Sequence, residues 1–164
     1  MATIHNEVAE IIYKRIEIKH IPELIDLRLQ FLTSLKGVQP KDKTDALIGH
    51  LHQYYTKTIP DETFAGWIAW AGAKAVAVGA LVVREQPGQF DWPDGRLGYI
   101  LNMYTRPEYR NKGIGTEIIR KLINFAKETG LSRLELFASP YGEHLYRKHG
   151  FDVWKEPYLM LRFK

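Results

Sequence analysis

Arg110 and Lys112 stand directly before two glycines in the run Arg106-Pro107-Glu108-Tyr109-Arg110-Asn111-Lys112-Gly113-Ile114-Gly115-Thr116. Glycine at 113 and 115 removes side chains that would hold a ligand away from the backbone N–H groups. A helix opens here, and the N–H groups of its first turn lack intrahelical acceptors while the helix dipole turns its positive end the same way. Such a mouth suits a phosphate, with Arg110 adding a planar fork of donors and Lys112 a compact point charge. Two familiar phosphate loops fail on spacing. A Walker A loop needs Lys after its last glycine and then Ser or Thr, whereas Lys112 precedes Gly113 and Gly115 is followed by Thr116 alone. A dinucleotide fingerprint needs a third glycine where Ile118 stands.

The elements that must hold this mouth are marked chemically. Gly98 to Thr105 is rich in aromatic and branched residues and predicts a strand, which Pro107 stops. Ile118, Ile119, Leu122, Ile123 and Ala126 follow the helical period, with Glu117, Arg120, Lys121, Asn124, Lys127 and Glu128 on the wet face, and Gly130 ends the helix. Leu131 to Ala138 then predicts a strand parallel to the first, because strand, helix and strand within this length make a right-handed crossover. Parallel strands joined in this way leave a cleft at their C-terminal ends.

Upstream, Ile11 to Ile18 predicts a first strand, and Pro22 opens a helix through Leu24, Ile25, Leu27, Phe31 and Leu35 that ends near Gly37. A second helix is expected over about Thr44 to Thr58. Thr63–Ala71 and Lys74–Arg84 read as a hairpin turning at Gly72, and Gln86 to Gly95 as a long loop with Phe90 and Trp92 as anchors. Trp67, Trp70, Tyr54 and Tyr55 read as core rather than as a cage for substrate. Downstream, Ser139-Pro140-Tyr141-Gly142 leads into a short helix over Glu143 to His149, closed by Gly150. Asp152 to Phe163 predicts one or two final strands, interrupted near Pro157.

The 164 residues, 45% of them apolar, suit one domain spanning 1–164 with a core that needs no staples. Cysteine is absent, which excludes disulfides, thiolate metal sites and a cysteine nucleophile. The six histidines are scattered, and His144 and His149 are not spaced as a metal pair, so no metal is expected. No apolar run approaches the roughly 18–20 residues that span a bilayer, and Met1 to Glu10 lacks a signal-peptide centre, so a cytoplasmic protein without membrane attachment is expected. The net charge of +4 raises nucleic-acid binding. The basic residues, however, are densest at Arg106, Arg110, Lys112, Arg120 and Lys121, around the anion mouth, and no recognition-helix or zinc-finger pattern accompanies them. No nucleic-acid partner is expected.

The loop Arg110-x-x-Gly113-x-Gly115, together with Leu145-Tyr146-Arg147-Lys148-His149-Gly150-Phe151 in the same order, resembles the GNAT superfamily of acyl-CoA-dependent N-acetyltransferases. The second segment is similar to that family's Leu-Tyr-x-x-x-Gly-Phe pattern. The resemblance implies an α/β fold: a central, mixed, mostly antiparallel twisted sheet with helices on both faces and a V-shaped splay between two parallel central strands. It implies acetyl-CoA as acyl donor, with backbone groups of Met103, Tyr104 and Thr105 receiving the pantetheine arm and Arg110, Asn111, Lys112, Gly113, Ile114, Gly115 and Thr116 receiving the pyrophosphate. Ser139, where many relatives carry Asn, would reach the cofactor arm, and Tyr146 would be the general acid. Such folds commonly dimerise, so a homodimer is a further expectation.

The chemistry explains these parts. An alkyl ammonium with a reference pKa of about 10.4 must lose a proton before it attacks a thioester. The tetrahedral intermediate develops an oxyanion that strand-end N–H donors stabilise. The leaving thiolate, with a reference thiol pKa of about 8.5, takes a proton that a tyrosine can supply. The base stays open among Glu62, Glu135, Glu143 and ordered water, because Tyr99 to Thr105 contains no carboxylate. That absence also keeps a second class in view, a non-catalytic acyl-CoA-binding or interaction module. The acceptor side fits polyamines, aminoglycosides, amino acids or protein amines equally.

Overall fold

A computed structural model describes residues 10–163. Its elements run β1 (Ile11–Arg15), a 3-10 turn (Ile18–His20), α1 (Ile21–Lys36), α2 (Lys41–Thr58), β2 (Phe64–Ala71), β3 (Lys74–Glu85) and β4 (Arg96–Thr105). A second 3-10 turn (Pro107–Tyr109), α3 (Ile114–Glu128), β5 (Leu134–Glu135) and α4 (Glu143–Lys148) follow. The strands form one sheet in the order β1-β2-β3-β4-β5, antiparallel as far as β4 and parallel between β4 and β5. The expected mixed, mostly antiparallel sheet with helices on both faces is therefore present.

Strand alternation divides the core in two. On one face α1 and α2 bury Leu24, Leu27 and Tyr55 against Phe64, Ile68, Val78 and Tyr104. On the other, α3 buries Ile114, Ile118, Ile119, Leu122 and Phe125 against Ala77, Leu81 and Ile100, and Tyr146 of α4 joins the same cluster. The apolar stripe read from the sequence is thus the face that α3 lays on the sheet.

Several boundaries differ from the sequence reading. β1 ends at Arg15, after which Ile16 adds one bond to the Gly66 carbonyl at 2.9 Å before the chain enters the 3-10 turn. α2 begins at Lys41 because Pro40, with ψ 146°, keeps the chain extended up to that point and supplies the carbonyl for the first helical bonds. The strand expected over Leu131 to Ala138 contracts to Leu134–Glu135, since the chain diverges from β4 after two rungs and loses its ladder partner.

The final strands expected over Asp152 to Phe163 are not formed. With β5 only two residues long there is no edge to template them, and Pro157 removes a ladder donor. β5 is consequently the sheet's edge rather than an interior strand. The C-terminal segment attaches through side chains instead. The Arg133 guanidinium lies 3.9 Å from the Trp92 ring centre and 5.4 Å from that of Trp154, and the Tyr158 ring meets Phe137 at 4.8 Å. Among the described residues no helix is long and apolar enough to cross a membrane. The expectation about the first ten residues falls, for residues 1–9, outside those described.

Candidate active site

The site begins where β4 and β5 part. They pair only through Gly98 with Leu134 and Tyr99 with Glu135, and the Gly98 N–H donates to the Arg133 carbonyl at 3.0 Å. A Cβ at Gly98 would come within 2.5 Å of Leu134 Cδ2, so glycine permits the close approach at the root of the splay. From Ile100 onward β4 has no partner on this side, and an open edge of backbone faces the gap.

Which groups line that edge follows from register. β3 and β4 pair in step from Glu85↔Arg96 to Ala80↔Leu101, and again from Val78↔Tyr104, so two β4 residues, Asn102 and Met103, oppose Gly79. Beyond this bulge the Arg106 N–H donates to the Val76 carbonyl at 2.9 Å, towards β3. Counting back along the alternation, the backbone of Tyr104 also turns to β3, whereas the N–H groups of Met103 and Thr105 turn to the gap. The Thr105 carbonyl agrees with this count, since it accepts from Arg110 Nε at 3.0 Å outside the sheet. Of the three strand-end residues singled out from the sequence, Met103 and Thr105 present backbone to the opening, while the Tyr104 ring is buried beneath α1 beside Phe31, 6.1 Å away between centres.

The glycine loop lies just beyond. Asn111 and Gly113 both adopt left-handed backbone, at φ 59° and 76°, following an extended Arg110 and flanking Lys112. Alternation of this kind turns successive N–H groups inward as an anion nest. The first bond of α3 runs from the Glu117 N–H to the Gly113 carbonyl at 3.1 Å, so the N–H groups of Ile114, Gly115 and Thr116 precede the helical ladder. Beyond its chain neighbours, no atom lies within 4 Å of where a Gly113 Cβ would stand, so the mouth is open. The buried Ile114 side chain pins the loop to the core, and Gly115 marks the approach of α4, with Leu145 Cδ2 at 3.4 Å from a built Cβ.

The basic cluster divides into paired and unpaired charges. Arg106 donates to Asp26, Gln30 and the Ala75 carbonyl at 2.8, 2.9 and 2.8 Å, fastening α1 to the sheet rather than facing the mouth. Arg120 and Lys121 both pair with Glu117, at 2.8 and 3.4 Å. Arg110 and Lys112 remain beside the loop, each hydrogen-bonded only to a carbonyl, of Thr105 and Glu108 respectively. Their charges are uncompensated by a carboxylate contact among the described residues.

Tyr146 is 9% exposed, packed against Phe151 with ring centres 5.9 Å apart, and its hydroxyl makes no hydrogen bond to the described residues. Burial alone raises its phenol above the ordinary value, which keeps the proton on oxygen at neutral pH. Ser139 serves the adjoining turn: its Oγ accepts from the Gly142 N–H at 3.2 Å and its carbonyl from the Glu143 N–H at 3.0 Å. The hydroxyl proton of Ser139 is still available for donation.

The carboxylates named from the sequence are now separable. Glu62 pairs with Arg15 of β1 at 2.7 Å. Three strand spacings separate β1 from β4, roughly 14 Å, which removes Glu62 from the gap. Glu143 pairs with Arg147 at 3.1 Å on the exposed side of α4. Glu135 sits on the last paired rung of β5, at the root of the splay, bonded to Arg133 at 2.7 Å. The sequence reading passed over Asn102, whose position at the bulge was signalled only by a polar amide within an aromatic and branched strand. Among the described residues no group of three or more His, Asp or Glu side chains is placed to hold a metal.

Comparison with known proteins accords with this architecture. A family model described as "Acetyltransferase (GNAT) family" matches residues 26–151. The uncharacterized N-acetyltransferase YedL of Escherichia coli (strain K12) is 27% identical over 105 residues, which cover 61% of this chain and 60% of that protein. The thialysine N-epsilon-acetyltransferase of Bos taurus is 45% identical over 61 residues, 37% of this chain and 33% of its own length. The matched segments therefore span less than two thirds of these relatives. Among solved structures, a predicted acetyltransferase from Clostridium acetobutylicum crystallised with acetyl-CoA superposes with a TM-score of 0.84 at 30% identity, covering 93% of this chain and 96% of that one.

Proposed function

The chain belongs to the acetyltransferase (GNAT) family, and from that premise we propose that it transfers an acetyl group from acetyl-CoA to a primary amine by direct attack within a ternary complex. The observation that carries this reading is the open nest of Asn111 to Thr116 at the end of a strand whose free edge aims two N–H groups at the gap. A diphosphate held at the nest leaves the pantetheine arm to run along that edge towards the root of the splay, where Glu135 and Tyr99 form the last rung. In the Clostridium relative acetyl-CoA is the ligand named, which supports the same donor here.

Each step draws on this chain's own residues. Arg110 and Lys112 bind the diphosphate with the nest amides. The Met103 and Thr105 N–H groups stabilise the arm and the developing oxyanion, fixed dipoles that need no reorganisation as charge appears. The amine attacks the thioester carbon after losing a proton to Glu135, directly or through water, because Glu135 is the one of the three candidate carboxylates at the gap. The C–S bond then breaks, the nitrogen gives up its second proton to water to become the amide, and Tyr146 donates to the departing sulfur. Since a thiol's reference pKa, about 8.5, lies below that of tyrosine, about 10, Tyr146 acts chiefly as a hydrogen-bond donor to the thiolate.

A single experiment tests the reading: release of free CoA thiol from acetyl-CoA, followed across a panel of lysine analogues, polyamines, aminoglycosides and peptides. The thialysine relative makes a lysine-like amine the first member of that panel. Amine-dependent release supports transfer. Binding of acetyl-CoA by calorimetry with no release across the panel favours the second reading, a non-catalytic acyl-CoA-binding module, which is motivated by the absence of a carboxylate from Tyr99 to Thr105.

A further inference from the structure

Asn102 is an anomaly in β4. It is 3% exposed, and its φ of 57° is left-handed, an uncommon conformation for a residue other than glycine and one that Asn tolerates best. Its side chain is gripped from both helices that cover this face of the sheet. Arg28 of α1 donates to Asn102 Oδ1, and Asn102 Nδ2 donates to the hydroxyl of Tyr55 of α2 at 3.2 Å. These contacts join residues 74 and 47 positions apart, so they are tertiary choices and not local turn chemistry. Tyr55 is 2% exposed and wedged against Phe64, with ring centres 4.9 Å apart, so its hydroxyl is a fixed anchor.

The consequence for the site follows from register. Asn102 is the extra residue of the bulge opposite Gly79. Without it Met103 would pair with Val78 and Tyr104 with Ala77, and every later backbone group of β4 would reverse sides. The N–H groups of Met103 and Thr105 would then point into β3, and that of Tyr104 into the gap. The bulge therefore decides which amides meet the acyl donor, and the Arg28–Asn102–Tyr55 clamp decides whether the bulge keeps its shape.

We propose that Asn102, clamped by Arg28 and Tyr55, is a positioning residue that sets the direction of the Met103 and Thr105 amides towards the bound acyl donor. This rests on the acetyl-CoA reading above. The clamp acts on the strand edge and leaves the Asn111 to Thr116 nest untouched, so binding of the diphosphate and alignment of the thioester are separable. That separation provides the test.

Three variants divide the contributions. Asn102→Gly retains easy access to left-handed backbone but loses both side-chain bonds; Asn102→Asp keeps the acceptor for Arg28; Tyr55→Phe removes only the second anchor. Backbone amide signals are followed by NMR as acetyl-CoA is added, with steady-state transfer measured in parallel. In the wild type both the Gly113–Thr116 and the Met103/Thr105 amide signals are expected to shift on binding. Asn102→Gly is expected to keep the loop shifts and a dissociation constant within about threefold, to lose the Met103/Thr105 shifts, and to drop in kcat by about 10- to 100-fold where an acceptor is turned over. Asn102→Asp is expected to recover most of both, with Tyr55→Phe intermediate. Retention of the strand shifts and of kcat by a folded Asn102→Gly protein overturns the clamp while leaving the acetyl-CoA reading standing. A wild type whose amides ignore acetyl-CoA overturns both.

Discussion

Met103 lies across the bulge over Gly79, where an added Cβ would overlap both the Met103 Sδ and the Ile118 Cγ2 of α3. One missing side chain thus lets the strand edge, the bulge and the loop-bearing helix meet. Gly79→Ala is expected to cost about 1–3 kcal/mol through overpacking, a fall of roughly 3–9 °C in melting temperature. Because the same methyl presses on Met103, transfer activity at permissive temperature should also fall. Melting curves and CoA-release assays of the same preparation check both.

Gly113 poses the opposite problem, with open space but a left-handed backbone. Gly113→Ala should cost about 1–2 kcal/mol in strain and place a methyl at the mouth of the nest. The expected outcome is an acetyl-CoA dissociation constant raised by about tenfold, against little change for Gly49→Ala in α2, whose Cβ would meet open space. Calorimetric titration of the two variants decides this.

Charge around the loop should be unequal in effect. Arg110→Ala is expected to raise KM for acetyl-CoA about tenfold, the loss of a charge-assisted contact. Arg120→Ala should leave KM near the wild-type value, since its guanidinium is held by Glu117. A KM for Arg120→Ala that rose as much as that for Arg110→Ala would sink this division of the basic cluster.

Tyr146→Phe removes the donor to the departing sulfur and is expected to lower kcat by about 100-fold or more while KM for acetyl-CoA changes little. Full turnover by this variant, with chemistry rate-limiting, would reject the role.

Stability should fall in alkali. Burial raises the phenols of Tyr55 and Tyr146 above their unfolded value of about 10, so above that pH the unfolded chain binds fewer protons than the folded one. The slope of unfolding free energy with pH is then negative, and stability that is intact below about pH 10 declines as pH passes it. Melting temperatures from pH 9 to 11 should drop, and Tyr55→Phe should flatten that drop.

The parts legible in the sequence were those specified locally. Ile118, Ile119 and Leu122 announce α3 by period, Gly113 and Gly115 announce the loop, and the hairpin at Gly72 follows from two apolar runs. What escaped depends on distant partners. The grip of Arg28 and Tyr55 on Asn102 joins residues 74 and 47 positions apart and leaves only an out-of-place amide as its trace. The strand expected beyond Asp152 had a plausible composition but no edge to pair with, which no local pattern reports. Likewise Arg106, Arg120 and Lys121 read as one basic patch until Asp26 and Glu117 took them up.

The contact of both Trp92 and Trp154 with the one guanidinium of Arg133 gives the chain a built-in optical reporter. Trp92 is buried and Trp154 is 69% exposed, so an aqueous quencher such as acrylamide reaches the second far more readily than the first. Lifting the C-terminal segment away would take Trp154 off Arg133 while Trp92 kept its cation, so a change in the quenchable part of the emission of unlabelled protein would register it during any ligand titration.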